Sequence, residues 1–164
     1  MIAPGSLSGD EWKNVKAHEL SLPAGQVTPS PKPFSETGRP LKLLDHDDLT
    51  PGMLGFEKYS NILADLLLGH PVSVTFANDV GWPFGGCYGS TALTVNVGSV
   101  GKRWFEGSWG QRIYYWTKFL LHEFAHENVS NHLSEDFHKT CCRLGGKLAQ
   151  NIIERSDLFK DPVG

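Results

Sequence analysis

Cysteine is scarce in this chain: three in 164 residues, Cys87 and the adjacent pair Cys141-Cys142. Three thiols, two of them neighbours, cannot build a disulfide framework, so a reducing, cytoplasmic setting is expected. Charge of one sign is also lacking. A net charge of −3 and a pI near 6.1 exclude an electrostatic case for nucleic acid or an anionic membrane surface. No run of 18 apolar residues occurs, so no membrane-spanning helix is expected. Met1-Ile2-Ala3-Pro4-Gly5-Ser6 has neither a basic start nor an apolar core, which does not suit a signal peptide. It leads straight into loop-like sequence, and the expectation is a piece of a longer protein. What is present suffices for a core: 40% apolar residues and five tryptophans, in a length that suits one domain.

Proline marks the first division. Residues 1–40 hold six of the ten prolines and are expected to form an extended arm or linker, with room for a short helix or strand over Val15–Leu22. Residues 41–155 are expected to be the domain, and 156–164 a polar tail that frays. Thr50-Pro51 and Gly69 punctuate a helix, with Met53, Phe56, Tyr59, Ile62, Leu63, Leu66 and Leu67 as its buried stripe. Pro71–Asn78 alternates as a half-buried strand, with Val72, Val74 and Phe76 inward. Thr91–Val97 does the same, with Leu93, Val95 and Val97 inward and Thr94 and Asn96 outward. Between them, Asp79–Ser90 is glycine-rich and expected to be a loop; it carries no basic residue and does not match a phosphate cradle. Ser108 and Gln111 have capping-box spacing. Ser134 caps a last helix with the stripe Phe137, Cys141, Leu144, Leu148 and Ile152. Gly145-Gly146 inside it costs roughly 1 kcal/mol per residue against alanine, which suggests close approach to another helix.

Chemistry concentrates in His122-Glu123-Phe124-Ala125-His126, within a run from Trp109 to Asn128 that reads as one buried, nearly all-apolar helix. Residues four apart lie one turn apart on one helix face. His122 and His126 can therefore present two imidazoles to one ion, with Glu123 beside that face. Such a set suits zinc, with a carboxylate placed to take a proton from water that the ion activates. A catalytic zinc takes three protein ligands. His132 is the favoured third, six residues after His126, provided Asn128 or Asn131 turns the chain through the left-handed region. Glu135, His138 and Glu154 are rivals. Asp45-His46-Asp47-Asp48, His70 and the pair His18-Glu19 are read as solvated surface, and Cys87 as packing.

The H-E-x-x-H-x5-H pattern resembles the zincin metallopeptidases and is similar to the metzincin spacing. It departs from the latter in having Val129 where that clan has glycine. Met1 and Met53 are the only methionines, so there is no Met-turn. The resemblance covers about residues 50–155 and implies a minimal zincin. That is an α+β domain in which a small mixed or antiparallel sheet packs on a central metal-binding helix. An N-terminal helix flanks it and a C-terminal helix closes it. It also implies a strand beside the cleft, for which Thr91–Val97 is the candidate, its free edge open to an extended peptide. The expected function is zinc-dependent hydrolysis of peptide bonds. Zinc is held by His122, His126 and His132 and Glu123 is the general base; whether a Tyr or His assists the oxyanion is open, with Tyr88 and Tyr115 as candidates. The expected partner is a peptide or protein substrate, not nucleic acid or membrane. Two alternatives stand beside it. One is a different zinc hydrolase, with the H-x3-H-x5-H spacing of YbeY-type endoribonucleases. The other is a non-catalytic zinc-binding module of a larger regulatory protein.

Overall fold

The structure is a computed structural model and describes residues 40–82, 84–129 and 131–163. His18, Glu19 and most of the proline-rich arm lie outside these residues. The domain is α+β. In chain order it comprises α1 (Pro51–Leu67), β1 (Ser73–Ala77), β2 (Gly86–Gly89), β3 (Ala92–Asn96), a short α2 (Val97–Val100), α3 (Trp109–Ala125) and α4 (Glu135–Glu154). Single turns of 3-10 helix at His46–Asp48, Lys102–Phe105 and Ser156–Phe159 join and close these elements.

Helix α1 begins where its punctuation requires. The Thr50 hydroxyl accepts from the Met53 amide at 3.3 Å, and Pro51 occupies the first helical position. Gly69, at φ +87°, lies just past its end. Lys147 of α4 donates to the Leu67 carbonyl at 3.0 Å, which satisfies a terminal acceptor and ties the two helices together. Met53, Phe56, Tyr59, Leu63 and Leu67 are buried, whereas Ile62 and Leu66 are only half-buried.

The sheet has the order β1-β3-β2, with β1 parallel and β2 antiparallel to β3. Two expectations fail here. The glycine-rich stretch contains a strand, and β3 is the centre of the sheet instead of an edge. Strand β2 escaped the sequence because Gly86-Cys87-Tyr88-Gly89 has no apolar alternation. Its glycine is required for another reason. A Cβ on Gly86 would lie 2.3 Å from the ring of Phe119, so β2 packs directly onto α3 only without a side chain there. Because β3 is central, Thr94 and Asn96 are buried, contrary to their outward assignment.

Asn96 is the organiser of the loop before β2. Its Oδ1 accepts from the amides of Asp79 and Gly98, at 3.0 and 3.1 Å. Its Nδ2 donates to the carbonyls of Asp79, Trp82 and Phe84, at 2.8, 3.1 and 3.3 Å. Strands β2 and β3 are joined by the two residues Ser90 and Thr91, at φ +50° and +65°. Those angles belong to a type I′ turn, which favours Asn-Gly and is costly for a β-branched residue.

The core is aromatic. Phe56 of α1 meets Phe76, Trp104, Phe105, Trp116 and Phe119 at centroid distances of 5.2–6.3 Å, mostly edge to face. Helix α3 is amphipathic, not buried all round as its composition suggested. Trp116, Leu120, Phe124 and Ala125 face this core, while Tyr114, Tyr115 and Lys118 face solvent. The paired glycines of α4 make no close approach: a Cβ on Gly145 or Gly146 would meet open space. The described end of the tail packs back on α3 instead of fraying. Trp109 Nε1 donates to the Phe159 carbonyl at 2.9 Å, and the buried Arg112 guanidinium, between Trp109 and Trp116, pairs with Asp161.

Candidate metal centre

Helix α3 delivers His122 and Glu123 on its last turn, and His126 caps its C-terminus. The chain then turns back without any left-handed residue at Asn128 or Asn131. Among the described residues, non-glycine positive φ occurs only at Ser90 and Thr91. The reversal is instead held by side chain and backbone bonds at Asn131. Its Oδ1 accepts from the Leu133 amide at 3.0 Å, and its carbonyl accepts from the Ser134 hydroxyl at 2.7 Å. Ser134 in turn caps α4 by accepting from Phe137 N at 3.1 Å.

This turn brings His132 to the other two histidines. Its Nε2 lies 3.0 Å from His122 Nε2 and 2.9 Å from His126 Nε2. Three imidazole nitrogens within 4.8 Å of one another are close enough to hold one metal ion. Tetrahedral zinc with Zn–N of about 2.0–2.1 Å implies N···N separations of about 3.3 Å, close to those seen. The His126 tautomer suits a metal ligand. His126 Nδ1 faces the Val129 carbonyl at 2.9 Å, and that carbonyl only accepts, so the ring proton sits on Nδ1. Its Nε2 is then a bare lone pair aimed at the cluster, and the backbone carbonyl fixes the ring as an outer partner of a metal ligand does. Burial, then the neighbouring imidazoles, pushes the His122 pKa down. Burial pushes that of His126 down against the opposing pull of the Val129 carbonyl. Neutral imidazoles are what a metal requires.

The rivals for third ligand are elsewhere. Glu135 is exposed and paired with Lys139 at 2.8 Å. Glu154, at the far end of the 20-residue α4, accepts from Gln150. His138 is exposed and outside the cluster. Among the described residues no fourth His, Cys, Asp or Glu joins the three, and neither His70 nor the acidic turn at 45–48 belongs to it.

Glu123 is buried, and burial raises its carboxyl pKa to about 7. Its neighbour across the helix–sheet contact is Cys87 of β2, whose thiol is pushed up by burial first and by the Glu123 charge second. A cation at the histidines would favour the ionised carboxylate. The edge strand beside this end of α3 is thus β2, with β3 on one side and no strand on the other among the described residues.

Sequence reasoning missed two residues. Phe137, treated as one member of the α4 stripe, lies 5.3, 5.0 and 5.0 Å from the rings of His122, His126 and His132 and forms a floor under all three. Glu127 accepts a short hydrogen bond from the Tyr88 hydroxyl and faces His70 Nε2 at 3.3 Å. Its signal was readable. A carboxylate at a helix C-terminus is disfavoured by the dipole and needs partners. Tyr88, an expected oxyanion aid, is buried with its hydroxyl committed to Glu127. Tyr115 is exposed against Tyr114. Both exposed tyrosines border a groove of about 830 Å³ that reaches His122 along α3 and α4, lined also by Leu121, Cys141 and Leu148.

Among the described residues no helix is long and apolar enough to cross a membrane, and Cys87, Cys141 and Cys142 are free thiols. Comparison with family models, curated proteins and solved structures finds no match to this chain.

Proposed function

We propose that this chain is a zinc-dependent peptidase of minimal zincin type. The observation that carries the reading is a single one. Three imidazole nitrogens converge with no fourth protein ligand among the described residues, and a buried carboxylate follows the first of them on the same helix turn. A structural zinc site is usually closed by a fourth side chain, commonly cysteine; a catalytic one keeps a position open. His122, His126 and His132 would hold the ion. Bound zinc supplies Lewis acidity, which acidifies water and polarises an amide carbonyl. Glu123 takes the proton as the water oxygen attacks the carbonyl carbon, then delivers it to the departing amine as the C–N bond breaks. An extended substrate would lie along the free edge of β2.

Glu123→Gln tests the assignment. The variant should bind one equivalent of zinc as the parent does, while hydrolysis of unstructured peptides falls by roughly 10²–10⁴-fold. Undiminished hydrolysis by that variant would sink the proton-transfer role. Cleavage of RNA but not peptides by the parent would replace the substrate class.

A further inference from the structure

Glu127 is an exposed residue beside the histidine cluster whose carboxylate is bonded by two distant side chains and is not used by the proposed chemistry. It directly follows His126 in the turn that ends α3, where its amide donates to the Phe124 carbonyl at 3.1 Å. Two elements distant in sequence grip its carboxylate. Tyr88, on β2, donates its hydroxyl to Oε2 and packs its ring edge-on against Phe124, at 5.6 Å between centroids. His70, from the α1–β1 connection, donates from Nδ1 to the Pro71 carbonyl and, when its ring is protonated, from Nε2 to Oε1. A carboxylate opposed by the helix dipole is thereby fixed from two sides, and with it the backbone that aims His126.

We infer that Glu127 is a positioning residue: held by Tyr88 and His70, it locks the turn that orients His126 and clamps the edge strand β2 against the end of α3. The inference rests on the reading of that cluster as a metal site. The lock acts on two things at once. It holds the His126 backbone, whose ring is further oriented by Val129 only two residues beyond Glu127. It also sets the distance between the β2 edge and Glu123. Outer partners of metal ligands affect affinity by tenfold to a hundredfold when removed, although they touch no metal.

The test uses zinc and cobalt ions on the whole chain. Glu127→Ala and Tyr88→Phe should each weaken zinc binding by about tenfold or more and alter the visible absorption of the cobalt-loaded protein. Glu127→Gln retains a carbonyl oxygen for the Tyr88 hydroxyl and should recover most of the affinity. Tyr88→Phe removes one oxygen and keeps the ring on Phe124, so it reports on the lock even where Glu127→Ala folds poorly. A purely structural contact would lower the melting temperature of the metal-free protein and leave zinc affinity and the cobalt spectrum unchanged. That result overturns the inference. His126→Ala is the control that separates the two readings. If the parent binds zinc and His126→Ala does not, the metal site stands whatever the Glu127 variants do. If the parent binds neither ion, the metal site and the lock fall together.

Discussion

The ring of Phe137 lies 5.0 Å from the imidazole of His126, centroid to centroid, and at the same distance from that of His132. One buried side chain in the first turn of α4 therefore supports histidines from α3 and from the loop after it. The same side chain thus packs α4 onto the domain and underlies the cluster.

Phe137→Ala should consequently cost about 3–5 kcal/mol in chemical unfolding of the metal-free protein, because it leaves a cavity beneath three rings. It should also weaken zinc binding. A loss below about 1 kcal/mol would mean that the rings rest on something else.

Asn96 makes five hydrogen bonds at a fully buried position. Asn96→Ala strands two amides and three carbonyls, each costing about 1–3 kcal/mol when left unsatisfied. A total above about 3 kcal/mol is expected. Asn96→Asp should fare no better, since it turns an oxygen toward the carbonyls of Asp79, Trp82 and Phe84. Equilibrium urea curves for both variants decide this, and a near-neutral Asn96→Asp would contradict the bonding described.

The turn at Ser90-Thr91 should be improvable. Exchanging the pair for Asn-Gly fits the left-handed angles and should add about 1 kcal/mol of stability, with the β2–β3 register intact. A lower urea midpoint would show that the Thr91 side chain contributes more than its backbone costs.

His70 gives a pH signature. The Pro71 carbonyl raises its pKa most; desolvation, the second contribution, opposes it, and the hydrogen bond and charge of Glu127 add to the rise. A raised folded-state pKa means stabilisation fully present below the ordinary histidine value of about 6.5 and lost as pH rises through the raised value. The stability difference between the parent and His70→Ala should therefore be largest near pH 5.5 and shrink toward pH 9. A difference that grows with pH would reverse the assignment.

The local parts of this protein were legible because their causes are local. Thr50-Pro51, Ser108 with Gln111, and Ser134 mark helix starts within four residues, and each starts a helix in the structure. The spacing of His122 and His126 places both on one helix face regardless of what surrounds them, and His132 was favoured for its short reach. Strand β2 was hidden because it has no apolar alternation, and its place against α3 depends on Phe119, far along the chain. Distant residues also decide the burial of Asn96, the return of residues 156–163 onto Trp109 and Arg112, and the grip of Tyr88 and His70 on Glu127. In these cases the partner lies 12 to 57 residues away, and no periodicity encodes it. Sequence alone determined that His122 and His126 can face one ion, because helical geometry repeats within a turn, and left the third ligand to the fold. Only the tertiary structure decided what holds them there, because burial and long-range hydrogen bonds exist only once distant segments meet.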